Sequence, residues 1–222
     1  MLYPNFNEFK KLAKKGNVIP IYKEILADLT TPVSAFLKID DNNYSYLLES
    51  VESQENVGRY SFLASSPSLV FESNEKRVTF IRFSNGYKGS RSYPCSRSPL
   101  DELKKFLARF KFVPGKGLPR FCGGLVGYMG YDMVRFFENI PDKNFDDLNT
   151  PDCVFMLSDT FMIFDHVNRK IKIVSNVLLE KKSLPYLKKS YEIAVKKINS
   201  LIRKLERPIK FRPEPKVLNR RL

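Results

Sequence analysis

The apolar positions of this chain change period several times along its length. Over residues 5–15, Phe6, Phe9 and Leu12 recur at helical spacing, and Gly16 stands where a helix C-cap is expected. Residues 18–25 are an apolar run that predicts a short strand or extended entry. Thr30, Thr31 and Pro32 signal the next helix, with Thr as N-cap and Pro in the first turn. That helix is expected to present Val33, Phe36 and Leu37 to the core. From Tyr44 the pattern becomes strand-like, over 44–50, 60–64, 69–72 and 78–83. Turn chemistry separates these runs at 53–58, 65–67, 73–75 and Asn85-Gly86. This spacing predicts an antiparallel sheet built from consecutive hairpins.

Helical spacing returns at 99–111, where Leu100, Leu103, Phe106, Leu107 and Phe110 share a face. Asp101 and Glu102 sit at its positive end. A glycine-rich stretch, GGLVGYMGYD over 123–132, precedes a helical-looking 133–138. Residues 154–164 and 170–174 predict a hairpin across 165–169. The last periodic segment, 184–207, places Tyr186, Leu187, Tyr191, Ala194, Ile198, Leu201 and Ile202 at helical intervals. Beyond it Pro208, Pro213 and Pro215 break the chain. The expected fold class is α+β, a mostly antiparallel sheet with helices packed against it. The expected division is a folded body over 1–180 and a basic helix and connector over 181–222.

Composition narrows the function classes. With 43% hydrophobic residues, 18 Phe and 11 Tyr among 222 residues, the chain has the apolar content for a sizeable core. No apolar run reaches the roughly 18–20 residues that cross a bilayer, and the opening MLYPN lacks the order of a signal peptide. Cys95, Cys122 and Cys153 are widely spaced and form no CxxC. With one histidine in the chain they make a poor metal site. The cytoplasm is the expected compartment. The net charge of +14 is concentrated in 181–222, which carries 14 Lys and Arg against 3 Glu. The body is nearly balanced, and no finger spacing, RNP pattern or glycine-clamped loop accompanies the basic segment, so nucleic acid is not an expected partner.

Candidate chemistry is sparse. Glu49 and Ser50 place a carboxylate and a hydroxyl at a strand end, where they could take the ammonium of a small zwitterion. Arg59, Tyr60 and Ser61 follow on the neighbouring strand. The plain alternative is a strand edge with an ordinary surface ion pair. The run GGLVGYMG has neither GxGxxG nor a terminal Lys-Ser or Lys-Thr, so its glycines are read as points of close backbone approach or a bulge. His166 falls in a turn with no nucleophile placed to pair with it. Asp146-Asp147 and Asp101-Glu102 are loop and helix-start charges. The residues offer no self-sufficient active site, and none is assigned as catalytic or metal-binding.

Several segments, in order, resemble anthranilate synthase component I, a chorismate-utilising enzyme family. They are TPVSAFLKI (31–39), YLLESVE (46–52), GRYSFLA (58–64, with Ala64 where the family typically has Gly), GGLVGYMGYDMVRFFE (123–138) and PDCVFMLSDTFMIF (151–164). The resemblance implies a part in converting chorismate and ammonia to anthranilate and pyruvate, the committed step of tryptophan biosynthesis. It implies a glutamine amidotransferase subunit as partner, Mg²⁺ in the complete enzyme, and a C-terminal chorismate-binding domain expected to be absent from this chain. With that domain absent, the chain alone is expected to be inactive, and no cofactor is assigned to it. By the same resemblance Leu48, Glu49 and Ser50 contribute to the feedback site for L-tryptophan, with Tyr60 and Ser61 as weaker candidates from the facing strand. Two neighbouring classes share parts of this pattern: the large subunit of aminodeoxychorismate synthase, and a stand-alone amino-acid-binding regulator.

Overall fold

Side-chain caps fix where the first two helices begin. Asn5 and Glu8 form a reciprocal capping box at the first, and Thr31 and Ser34 at the second, where Pro32 occupies the first turn. The computed structural model describes residues 2–50, 58–84, 87–95, 97–141 and 146–209. The elements are β1 (Leu2–Tyr3), α1 (Phe6–Leu12), β2 (Val18–Leu26), α2 (Pro32–Ile39), β3 (Ser45–Leu48), β4 (Tyr60–Ser65), β5 (Leu69–Asn74), β6 (Arg77–Ser84) and β7 (Tyr87–Pro94). They continue with α3 (Pro99–Leu107), β8 (Gly124–Met129), a 3-10 turn (Tyr131–Phe136), β9 (Cys153–Ser158), β10 (Thr160–Asp165), β11 (Lys170–Leu178) and α4 (Leu184–Leu205). Of the turn expected over 53–58 only Gly58 is among the described residues, and the turn at Asn85-Gly86 and the proline-broken tail beyond 209 lie outside them.

Strands pair into two antiparallel sheets, in the orders β1-β2-β11-β10-β4-β3 and β7-β6-β5-β9-β8. The expected α+β class is what the structure shows. The expected single run of hairpins is corrected: β4 passes into β5, and β9 into β10, so two arms each cross from one sheet to the other. Along these arms β4 pairs with β10 and β5 with β9. Between Leu63 and Leu69 lie five residues, opposite four between Leu157 and Met162, so one extra residue bends the pair at the corner. Ser66, at φ 55, sits in that bend.

Alternation along the strands divides the core into layers. One face of the six-stranded sheet, with Ile19, Ile21, Leu63, Met162, Phe164, Ile171 and Ile173, packs under α1, α2 and α4. Its other face, with Tyr46, Ala64, Phe161, Ile163 and Val174, meets Val126 and Met156 of the second sheet. The far face of the second sheet, with Phe71, Val78 and Cys153, is closed by Leu103 of α3 and Met133 of the 3-10 turn. The α4 helix joins the same core as α1 through Leu187, Ala194, Ile198 and Leu205. Lys38 donates to the Leu205 carbonyl, which helps close its C-terminal end.

Three local expectations change. In α2 the buried residues are Ala35 and Ile39, while Val33 and Leu37 are about half exposed. The C-cap of α1 is Ala13, ahead of Gly16. The run 154–164 is two strands broken at Asp159, whose buried carboxylate takes an ion pair from Lys197 of α4 at 2.7 Å.

Candidate functional site

The β3–β4 hairpin positions the residues singled out in the sequence. Leu48, the last residue of β3, is paired with Phe62, and Tyr46 with Ala64. Paired residues and alternate positions share a face, so Leu48, Tyr60 and Phe62 point toward the layer between the sheets, with Tyr46. Phe62 meets Phe121 edge-on at 5.0 Å, and Tyr60 lies 6.2 Å from Phe62. Leu48 is 44% exposed at the open end of this aromatic strip. Glu49 and Ser50 follow directly and are exposed.

Ser61 does not join them. It lies between Tyr60 and Phe62 and therefore points to the opposite face, where it is almost fully buried. Its hydroxyl is 2.8 Å from His166 Nε2. This corrects the expectation that no hydroxyl or thiol stands beside His166: the two groups are 105 residues apart, and only the pairing of β4 with β10 brings them together. His166 is exposed, as a turn histidine is expected to be. A concavity of about 400 Å³ lined by Thr31, Pro32, Phe164, Asp165, His166 and Arg169 opens on that side.

Arg59 orients the start of β4. Its Nε and a terminal nitrogen donate to the two carboxylate oxygens of Asp165 at 3.1 and 2.9 Å, and its guanidinium lies 5.0 Å from the Tyr60 ring centre. The Asp165 side chain is fully buried and also accepts from the backbone and side-chain nitrogens of Asn168. Burial pushes this carboxyl up, but the hydrogen bonds from Arg59 and Asn168 outweigh it and hold the pKa at about 2. Sequence reading missed Asp165 and Asn168; the available signal was an Asp opening a turn three residues before an Asn.

Behind the strip, burial pushes the Tyr46 phenol up to about 12; the Ser158 hydroxyl lies beside it and lowers it in part. Neither oxygen reaches hydrogen-bonding geometry with any partner among the described residues. Tyr46→Phe removes an unpaired buried hydroxyl, so its expected effect is unchanged stability or a gain of up to about 1 kcal/mol, read from the urea midpoint. Loss of more than about 1 kcal/mol would show that the hydroxyl is satisfied in solution.

The glycine-rich stretch carries packing. Gly123, at φ +120, faces the Asn176 side chain, and its Cβ would lie 3.3 Å from the Phe161 ring. Gly127 faces the backbone of Val154 and Phe155. No group of three or more His, Cys, Asp or Glu is gathered among the described residues. No helix among them is long and apolar enough to cross a membrane.

An α+β body of antiparallel strands and packed helices is what the resemblance leads one to expect, and sequence comparison fixes the class. Residues 43–217 match the family model of chorismate binding enzymes, and the chain belongs to that family. It is similar to anthranilate synthase component 1 of Acetivibrio thermocellus, 37% identical over 205 residues, which are 92% of this chain and 40% of that protein. It is equally similar to the probable anthranilate synthase component 1 of Schizosaccharomyces pombe, 37% identical over 219 residues, 97% of this chain and 40% of that protein. The crystal structure of anthranilate synthase component I from Streptococcus pneumoniae matches with a TM-score of 0.50 at 28% identity, over 83% of this chain and 37% of the other. The chain spans about two fifths of the length of the curated relatives it matches.

Proposed function

We infer that this chain is the regulatory part of an anthranilate synthase component I, contributing to the site where L-tryptophan inhibits conversion of chorismate and ammonia to anthranilate and pyruvate. The observation that carries this reading is the placement of Glu49 and Ser50 directly after Leu48, at the open end of the aromatic strip of Tyr60, Phe62 and Phe121. A carboxylate takes the ammonium of an amino acid, a hydroxyl takes either end, and the strip offers an apolar wall to an indole. Tyr60 belongs with this group. Ser61, on the opposite face, acts through the strand.

Chorismate, Mg²⁺ and the glutamine amidotransferase subunit that supplies ammonia would then be handled by, or together with, the remaining length of the family, in the cytoplasm. Tyr128 and Met129, on opposite sides of β8, and Tyr131 and Phe137, in and just after the 3-10 turn, are exposed. Exposed apolar side chains gathered around one end of a strand call for cover, and the chorismate-converting portion is their proposed occupant. Tryptophan would act by binding one arrangement of the two portions better than the other.

The test is calorimetric titration of L-tryptophan, with D-tryptophan and L-phenylalanine as controls, into this chain and into a subunit of the relatives' full length. Stereospecific heat in either, lost in Glu49→Ala or Ser50→Arg, supports the site. Absence of such heat in both would overturn it. In the full-length subunit Ser50→Arg is expected to retain synthase activity and lose tryptophan inhibition. Normal inhibition in that variant removes Ser50 from the site.

A further inference from the structure

The outer face of the second sheet carries a groove with an unusual balance of charge. Register places Arg82 of β6 beside Leu69 of β5 and beside Gly89 of β7, while Phe80 stands beside Arg91 and Val78 beside Tyr93. Alternation therefore points Phe80, Arg82, Arg91 and Tyr93 to one face, the face that α3 covers with Phe106. Lys105 of α3 and Arg109, just beyond it, complete the walls of a concavity of about 480 Å³. Arg82, Phe106 and Arg109 also border a neighbouring, more apolar basin of about 460 Å³.

Four cations and one acid line the first basin. Glu102 is already engaged, accepting from Lys105 at 2.7 Å and from the Tyr93 hydroxyl at 3.3 Å. Arg91 lies 5.5 Å from the Tyr93 ring centre. Among the described residues, Arg82, Arg91 and Arg109 have no carboxylate partner. Overall composition does not explain this, because the basic excess of the chain lies in 181–222. Three guanidinium groups without a carboxylate partner among the described residues thus line one basin, and a bound anion would supply one. The planar fork of arginine matches phosphate oxygens two at a time. Phe80, Tyr93 and Phe106 form the floor, with Phe80 6.4 Å from Tyr93 and 5.3 Å from Phe106. Gly89 leaves the mouth open: a Cβ there meets nothing within 4 Å.

We propose that this groove between β6, β7 and α3 is a binding site for a nucleoside phosphate, with the phosphates held by Arg82, Arg91 and Arg109 and the base lying on the aromatic floor. The basin volume falls within the range of small-molecule sites, about 300–1000 Å³. The site is on the opposite side of the second sheet from the Leu48–Ser50 strand end and does not depend on the tryptophan reading.

The experiment is calorimetric titration of ADP into the full chain, with adenosine and pyrophosphate as its separate halves and an oligoglutamate peptide as a polyanion control. The expected result is one-to-one binding of ADP, tighter than either half and tighter than the peptide. Arg82→Gln and Arg109→Gln each weaken it about tenfold or more. Gly89→Leu, which fills the mouth without removing a charge, abolishes it, and Lys188→Gln, at an exposed position of α4, leaves it unchanged. Pyrophosphate binding as tightly as ADP would mean a simple anion site. Tighter binding of the peptide would mean an acidic protein segment. Equal loss in Lys188→Gln would mean diffuse charge. Each of these, like no binding at all, overturns the nucleotide assignment.

Discussion

Gly127→Ala is expected to lower the stability of this fold by roughly 3 kcal/mol, the cost of forcing extra volume into packed backbone. Gly127 sits in β8 opposite Phe155 of β9. A Cβ at this position would overlap the Val154 carbonyl oxygen and come within 2.8 Å of Phe155 Cα. Both obstacles are backbone, so no rotamer change relieves them, and β8 must part from β9. The same ladder holds Leu125 and Val126, which close the two faces of the second sheet, so separation is felt on both sides. Gly89→Ala is the control: it lies in an edge strand with open space around its Cβ and is expected to be neutral within about 0.5 kcal/mol. Urea denaturation of both variants gives the comparison. Equal midpoints would show that β8 adjusts without loss.

The contrast between these glycines marks what a sequence can and cannot convey. GGLVGYMG was readable as a place of close approach because it lacks every feature of a phosphate loop. Which backbone it approaches was not readable, since Val154 and Phe155 reach it only through the pairing of β8 with β9. Local signals performed well: Thr31-Pro32 starts a helix, and the apolar stripe of 184–207 packs as α4. Strand β7 escaped because YKGSRSYP is polar almost throughout, as suits an exposed edge. The crossing at Asp159 escaped because both β9 and β10 are apolar, so a long run hides a change of sheet. In α2 Phe36 packs against the core as expected, but Ala35 and Ile39, not Val33 and Leu37, are the buried positions beside it. At the candidate site the LLES residues were legible through family resemblance. Their division between two faces follows from register, which places Ser61 with His166 and leaves Tyr60 with Leu48.

Asp165→Asn is expected to cost about 2–3 kcal/mol at neutral pH, because it removes the charge from a buried carboxylate that four nitrogen contacts converge on. Asparagine keeps the size, so the loss reports the charge and its hydrogen bonds and not a cavity. The pH dependence separates this from simple misfit. The folded carboxyl titrates at about 2, below its ordinary 3.8. The folded state therefore favours the ionised form, and the stabilisation is complete above the unfolded value and disappears as pH falls from near 4 through about 2. The original chain and the variant should differ by a constant amount above about pH 5 and converge below that, a pattern that urea titrations at successive pH values will resolve. A gap unchanged down to pH 2 would mean that the asparagine is misfitted and that the Arg59 and Asn168 contacts contribute little. The same variant tests coupling to the strand end. Arg59 holds the start of β4 through this carboxylate, so if Tyr60 belongs to the amino-acid site, Asp165→Asn should weaken tryptophan binding several-fold in the full-length subunit while chorismate turnover without tryptophan stays as it was. Unaltered tryptophan binding in a folded Asp165→Asn protein would confine the Arg59–Asp165 pair to stability alone.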